Sequence, residues 1–89
     1  VILVVIMGCL FHVSANEWLW LLLSIFFVLA SEVWNTAIEN AVDLASEDKK
    51  HPLAKKAKDT AAGGVLLAAV FSMIVGAIVF VPKIWQLLF

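Results

Sequence analysis

Four polar residues, Glu32, Asn35, Glu39 and Asp43, interrupt an otherwise apolar stretch at spacings of three, four and four. On a helix turning about 100° per residue they fall within about 80° of one another and form a single stripe. A carboxylate at the centre of a membrane-spanning helix costs about 2.5 kcal/mol or more, so a row of them points to function. A second cluster, Lys55, Lys58 and Asp59, lies beyond a short polar segment. If the flanking helices pair antiparallel across that segment, carboxylates and ammonium groups meet at one junction. Carboxylates hold a hard divalent ion such as Mg²⁺ through oxygen, commonly together with substrate phosphates. Lysine brings a compact positive charge suited to phosphate, and a positioned carboxylate can take a proton from a hydroxyl. The combination points to phosphoryl transfer at a membrane surface. Residue types alone leave a second class open, a small non-enzymatic membrane assembly whose carboxylates bind or conduct cations. Gly8, Gly63, Gly64 and Gly76 are the only glycines, too scattered for a glycine-rich phosphate loop, so a nucleotide site must be of another design.

The elements that must position these residues are membrane helices. Of the 89 residues, 64% are hydrophobic and the mean hydropathy is +1.06, values that place the chain in a bilayer as one domain over residues 1–89. The first apolar run, Val1 to about Phe11, covers about 17 Å as a helix against about 30 Å of hydrocarbon, and reads as the distal part of a spanning helix. The short turn His12–Glu17 follows on the non-cytoplasmic side, where Ser14 or Asn16 can cap the next helix. His12 reads as an interfacial residue and Cys9 as a small buried hydrophobe. The second helix runs from near Glu17 to about Ala45, with Trp18 and Trp20 at the headgroup boundary. Glu32 lies about 21 Å deeper than Trp18, and Asp43, about 16 Å further on, emerges at the opposite surface. Trp34 points away from the stripe.

There is no arginine, and five of the six lysines lie between Lys49 and Lys58, which places that loop in the cytoplasm by the positive-inside rule. Lys49 and Lys50 read as topology determinants that meet anionic lipid. Pro52 suits the first position of a third helix. Ala61 to Val81 is long enough to span, with Pro82-Lys83 as its end and Trp85 at the far interface. Small residues at every fourth position, Gly64, Ala68, Ser72 and Gly76, predict a groove for close helix packing.

The run Glu32-x-x-Asn35-Thr36-Ala37-Ile38-Glu39-x-x-Val42-Asp43, followed by Ala57-Lys58-Asp59-x-x-Ala62, resembles the prokaryotic diacylglycerol kinase family of small integral-membrane lipid kinases. The likeness covers nearly the whole chain. His51-Pro52-Leu53-Ala54-Lys55 and the segment from Lys58 to Leu67 are more similar to the Gram-positive members that phosphorylate undecaprenol than to the Gram-negative diacylglycerol kinases. The resemblance implies an all-α protomer with three transmembrane helices, a homotrimer with active sites between subunits, and ATP with Mg²⁺ arriving from the cytoplasm. By position, it makes Glu32 the general base toward the lipid hydroxyl and Asn35 a residue that places the reacting groups. It makes Glu39 a metal ligand and Lys58 the holder of the ATP phosphates. Asp43 and Asp59 complete the nucleotide site, and His51 matches a loop histidine near the nucleotide. Family members also carry an N-terminal surface helix with a glutamate that shares the metal; the expectation is that this segment lies upstream of Val1. The expected protein is therefore a multi-pass lipid kinase of a bacterial cell membrane, with undecaprenol preferred to diacylglycerol and no nucleic-acid partner.

Overall fold

The computed structural model describes residues 1–89 and contains three helices, α1 (Ile2–Leu10), α2 (Ala15–Ser46) and α3 (Pro52–Leu88). Each boundary has a local cause. Ser14 caps α2: its Oγ accepts from the Glu17 backbone N–H at 3.2 Å, while its own N–H donates to Glu17 Oε1 at 3.0 Å. This reciprocal capping box satisfies two donors that a helix start otherwise leaves unpaired. α2 stops where Glu47 and Asp48 turn left-handed, at φ 56° and 59°. That turn returns the Asp48 N–H to the Asp43 carbonyl at 2.9 Å, the kind of bond that closes a helix C-terminus. α3 opens on Pro52 at its first position, capped by His51, whose Nδ1 accepts from the Leu53 N–H at 3.1 Å.

α2 and α3, of 32 and 37 residues, form an antiparallel hairpin, and both are long and apolar enough to cross a membrane. An ion pair stands at each end: Lys83 to Glu17 at 3.1 Å, and Lys58 to Asp43. The spacing makes both possible, since Glu17 and Asp43 are about 39 Å apart along α2 and Lys58 and Lys83 about 38 Å apart along α3. The molecule measures 57 × 20 × 17 Å. α1, with nine residues, rises only about 14 Å, short of a hydrocarbon core. It packs Val4, Met7 and Phe11 against a core of Val13, Leu21, Val75, Val79 and Phe80 near the Glu17–Lys83 end. Phe11 and Phe80 meet with ring centroids 5.9 Å apart, and Phe27 and Phe71 at 6.0 Å.

Only 9 of 89 residues are buried within the chain. That core is too small to fold the chain in water, and the exposed leucine, isoleucine and phenylalanine side chains suit lipid as solvent. Two buried hydroxyls are satisfied locally, Ser24 donating to the Leu21 carbonyl at 2.8 Å and Ser31 to the Val28 carbonyl at 2.7 Å.

Three sequence expectations need correction. α3 does not end at Pro82-Lys83 but continues to Leu88. Proline removes only one backbone donor, and the turns around it are held by buried Val79 and Phe80 and by the Lys83–Glu17 pair. Cys9 is exposed rather than buried, because α1 turns other residues toward the core. The small-residue groove is used only in part: Ala68 is buried, but a Cβ on Gly64 or Gly76 would meet nothing within 4 Å. The glycine that the packing does require is Gly8, where a Cβ would lie 2.8 Å from Trp18 Cζ2 and 3.0 Å from Cζ3. Gly8→Ala should therefore overpack the α1–α2 contact by about 1–3 kcal/mol. The thermal unfolding midpoint of the detergent-solubilised protein should fall, whereas Gly64→Ala should leave it nearly unchanged.

Candidate active site

The Lys-rich end of the hairpin gathers residues that the sequence separates. Asp43 sits in the last turn of α2 and Lys58 in the second turn of α3, and their ion pair bridges the helices. Both side chains remain about two-fifths exposed, Lys58 at 39% and Asp43 at 42%, so each can still meet a ligand from water. Around the pair lies an open cleft of about 650 Å³, lined also by Asp48, His51, Lys55 and Asp59. The cleft includes the N-terminus of α3, where the helix dipole favours anions. Lys49, Lys50, Lys55 and Lys58 add positive charge, while Asp43, Asp48 and Asp59 set carboxylates beside it. This mixture suits a polyphosphate that arrives with a cation.

One and two turns deeper than Asp43, Glu39 and Asn35 are half-buried, with Asn35 Nδ2 donating to Glu39 Oε1 at 3.2 Å. Asn35 Oδ1 is enclosed and has no hydrogen-bond partner. A buried amide oxygen without a partner is costly unless a ligand or ion supplies one. Together with the Glu39 carboxylate it offers two hard oxygen donors to one small cation. No three or more His, Cys, Asp or Glu side chains converge, so such an ion would need further oxygens from its substrate, which is the usual way Mg²⁺ is held.

Glu32 stands apart. Its side chain is exposed on the flank of α2, in a shallow hollow with Leu29, Val33, Thr36, Ala37 and Asn40. The single stripe facing α3 thus divides: Asp43 at the cleft, Asn35 and Glu39 below it, Glu32 turned outward. At about 100° per residue Glu32 falls between Glu39 and Asp43, so helical phase alone does not account for its exposure. Asp43, His51, Lys58 and Asp59 are brought to one cleft, and Lys49 and Lys50 line it too. Trp34 is 64% exposed on the membrane face. Sequence reasoning missed Asp48, whose carboxylate lines the cleft from a left-handed backbone position. The available signal was an aspartate just past a helix end, a residue type that tolerates that conformation. It also missed Thr36 and Asn40, which follow Glu32 at four-residue steps.

Lys58→Met should remove the charge nearest Asp43 and take away the cleft's excess of lysine over aspartate. Titration calorimetry should show pyrophosphate binding weakened about tenfold, in line with the loss of a charge-assisted hydrogen bond, while Lys56→Met, outside the cleft, should change it little.

The family model described as prokaryotic diacylglycerol kinase matches residues 1–80 of the chain. An undecaprenol kinase of Bacillus subtilis is 49% identical over 81 residues, covering 91% of this chain and 65% of that protein. A diacylglycerol kinase of Synechocystis is 41% identical over 85 residues, covering 96% of this chain and 49% of the relative. A diacylglycerol kinase of Helicobacter pylori is 44% identical over 55 residues, covering 62% of this chain and 42% of the relative. The chain thus spans less than two thirds of the length of these curated relatives. No solved structure matches it. A family match over residues 1–80 takes in both the divided stripe and the lysine cleft, and on that ground the chain belongs to the prokaryotic diacylglycerol kinase family.

Proposed function

We propose that the protein is an ATP-dependent lipid kinase of a bacterial cell membrane, transferring the γ-phosphoryl group of ATP to the hydroxyl of a membrane lipid. The observation that carries this reading is a cleft of lysine and aspartate side chains at one end of α2 and, about 16 Å along the helix, an exposed carboxylate among apolar side chains. A kinase whose acceptor dissolves in hydrocarbon and whose donor dissolves in water needs both. Undecaprenol is the acceptor we favour, supported by the 49% identity to the Bacillus subtilis undecaprenol kinase. Diacylglycerol is the second reading, supported by the relatives from Synechocystis and Helicobacter pylori.

In this proposal Lys58, His51, Asp59 and the N-terminus of α3 hold the nucleotide. Glu39 and the unpaired Asn35 oxygen would hold Mg²⁺, which supplies charge neutralisation for the phosphates when bound. Glu32 accepts the proton of the lipid hydroxyl. That oxygen forms the new bond to the γ-phosphorus as the bond to the β–γ bridging oxygen breaks, and ADP departs with those electrons. The transferred group carries its charge on three equatorial oxygens, so catalysis is mainly positioning and electrostatics. Within one chain Glu32 lies about 16 Å along α2 from Asp43 and lines a separate hollow from the cleft. We therefore propose that copies associate, as a homotrimer, with sites completed between subunits and the Lys-rich loop in the cytoplasm.

With the protein in lipid vesicles, Glu32→Gln should lower label transfer from γ-labelled ATP into extracted lipid by about 10²–10⁴-fold, the usual worth of a general base. ATP affinity should stay nearly constant, and retained turnover would remove Glu32 from the base role. Chelation of divalent ions should stop transfer in the unaltered protein, and added Mg²⁺ should restore it; transfer that persists through chelation argues against the Asn35–Glu39 metal site.

A further inference from the structure

Glu32 is not the only polar side chain on the outer face of α2. Thr36 and Asn40 follow it, so a carboxylate, a hydroxyl and a carboxamide rise in one line, about 6 Å per step, toward the Lys-rich end. All three are exposed, and no side-chain hydrogen bond or ion pair within the chain reaches any of them. Ser24, Ser31 and Ser46 on the same helix behave differently, each donating to a carbonyl one turn back. Leu29, Val33 and Ala37 flank the line with apolar surface. An unpaired polar row on a membrane-facing surface is unfavourable unless something outside the chain pairs with it.

The order of the groups says what that something is. An ionised Glu32 only accepts hydrogen bonds, Thr36 can donate one, and the Asn40 amide can donate two. A lipid alcohol has a proton to give and matches Glu32. A lipid phosphate carries about two negative charges and offers several acceptor oxygens, so Glu32, once it has released to water the proton it took, repels it while Thr36 and Asn40 match it. We infer that Thr36 and Asn40 form a binding site for the phosphate of a lipid monoester, drawing the product headgroup off Glu32 toward the water boundary while Leu29, Val33 and Ala37 keep its chain. This rests on the lipid-kinase reading for the identity of the product, but the site can be tested without turnover.

Farnesyl phosphate and farnesol serve as probes, titrated calorimetrically into the detergent-solubilised protein without ATP. Thr36→Val with Asn40→Leu should weaken farnesyl phosphate about tenfold or more, as expected for the loss of two hydrogen bonds, and leave farnesol within twofold. Thr36→Ser, which keeps the hydroxyl, should bind like the unaltered protein. In vesicle assays the double variant should raise the inhibition constant of the lipid phosphate by a similar factor without changing the KM for ATP. Unchanged farnesyl phosphate binding in the double variant overturns the inference. So does a change in sedimentation size with unchanged binding, which would make the row a contact between copies. Farnesyl phosphate binding that depends on Thr36 and Asn40, in a protein that labels no lipid, would refute the kinase reading and leave the site standing.

Discussion

The ion pair between Lys58 and Asp43 joins α2 to α3 where both helices leave the hydrocarbon, and the placement of the remaining polar groups depends on it. Both side chains are partly open to water, so screening leaves the pair little net stabilising effect. Its consequence is orientation. It ties α2 to α3 on the side where Asn35, Glu39 and Asp43 are half-buried, whereas Glu32, Thr36 and Asn40 are exposed. The matching pair of Glu17 and Lys83 holds the same register at the other end.

Between those ends the chain meets a solvent that cannot hydrogen-bond. Ser24 and Ser31 answer by donating to their own backbone. Asn35 uses its amide nitrogen on Glu39 and keeps one oxygen unpaired, and the outer row of three keeps all its capacity free. The helix thus separates polar residues already satisfied from those left available. The available ones fall into two groups, one beside the lysine-lined cleft and one on the exposed flank of α2. This division is what a transfer between a water-soluble donor and a membrane-bound acceptor requires.

Much of this arrangement was legible in the residues. Ser14 with Glu17, Pro52 after His51, and the concentration of lysine each have one strong local cause, and the structure places them accordingly. The gathering of Asp43, His51, Lys58 and Asp59 followed from a short loop between two long apolar helices. The division of the stripe was not legible, because phase within one helix does not say where the neighbouring helix makes contact. Pro82 misled because its usual effect assumes that nothing else holds the helix, whereas Phe80 and Lys83 do. Cys9 misled because apolar surroundings in sequence are not burial when lipid is the solvent. The role of Gly8 depends on where Trp18 lies, which spacing alone does not give.

The most direct measurement is phosphorus NMR of the protein in vesicles containing undecaprenol, with ATP and Mg²⁺ supplied from outside. The account predicts that the γ-phosphate signal of ATP declines as a lipid phosphomonoester signal of equal intensity grows. A decline matched only by inorganic phosphate, or no decline while undecaprenol and diacylglycerol are both present, would contradict it.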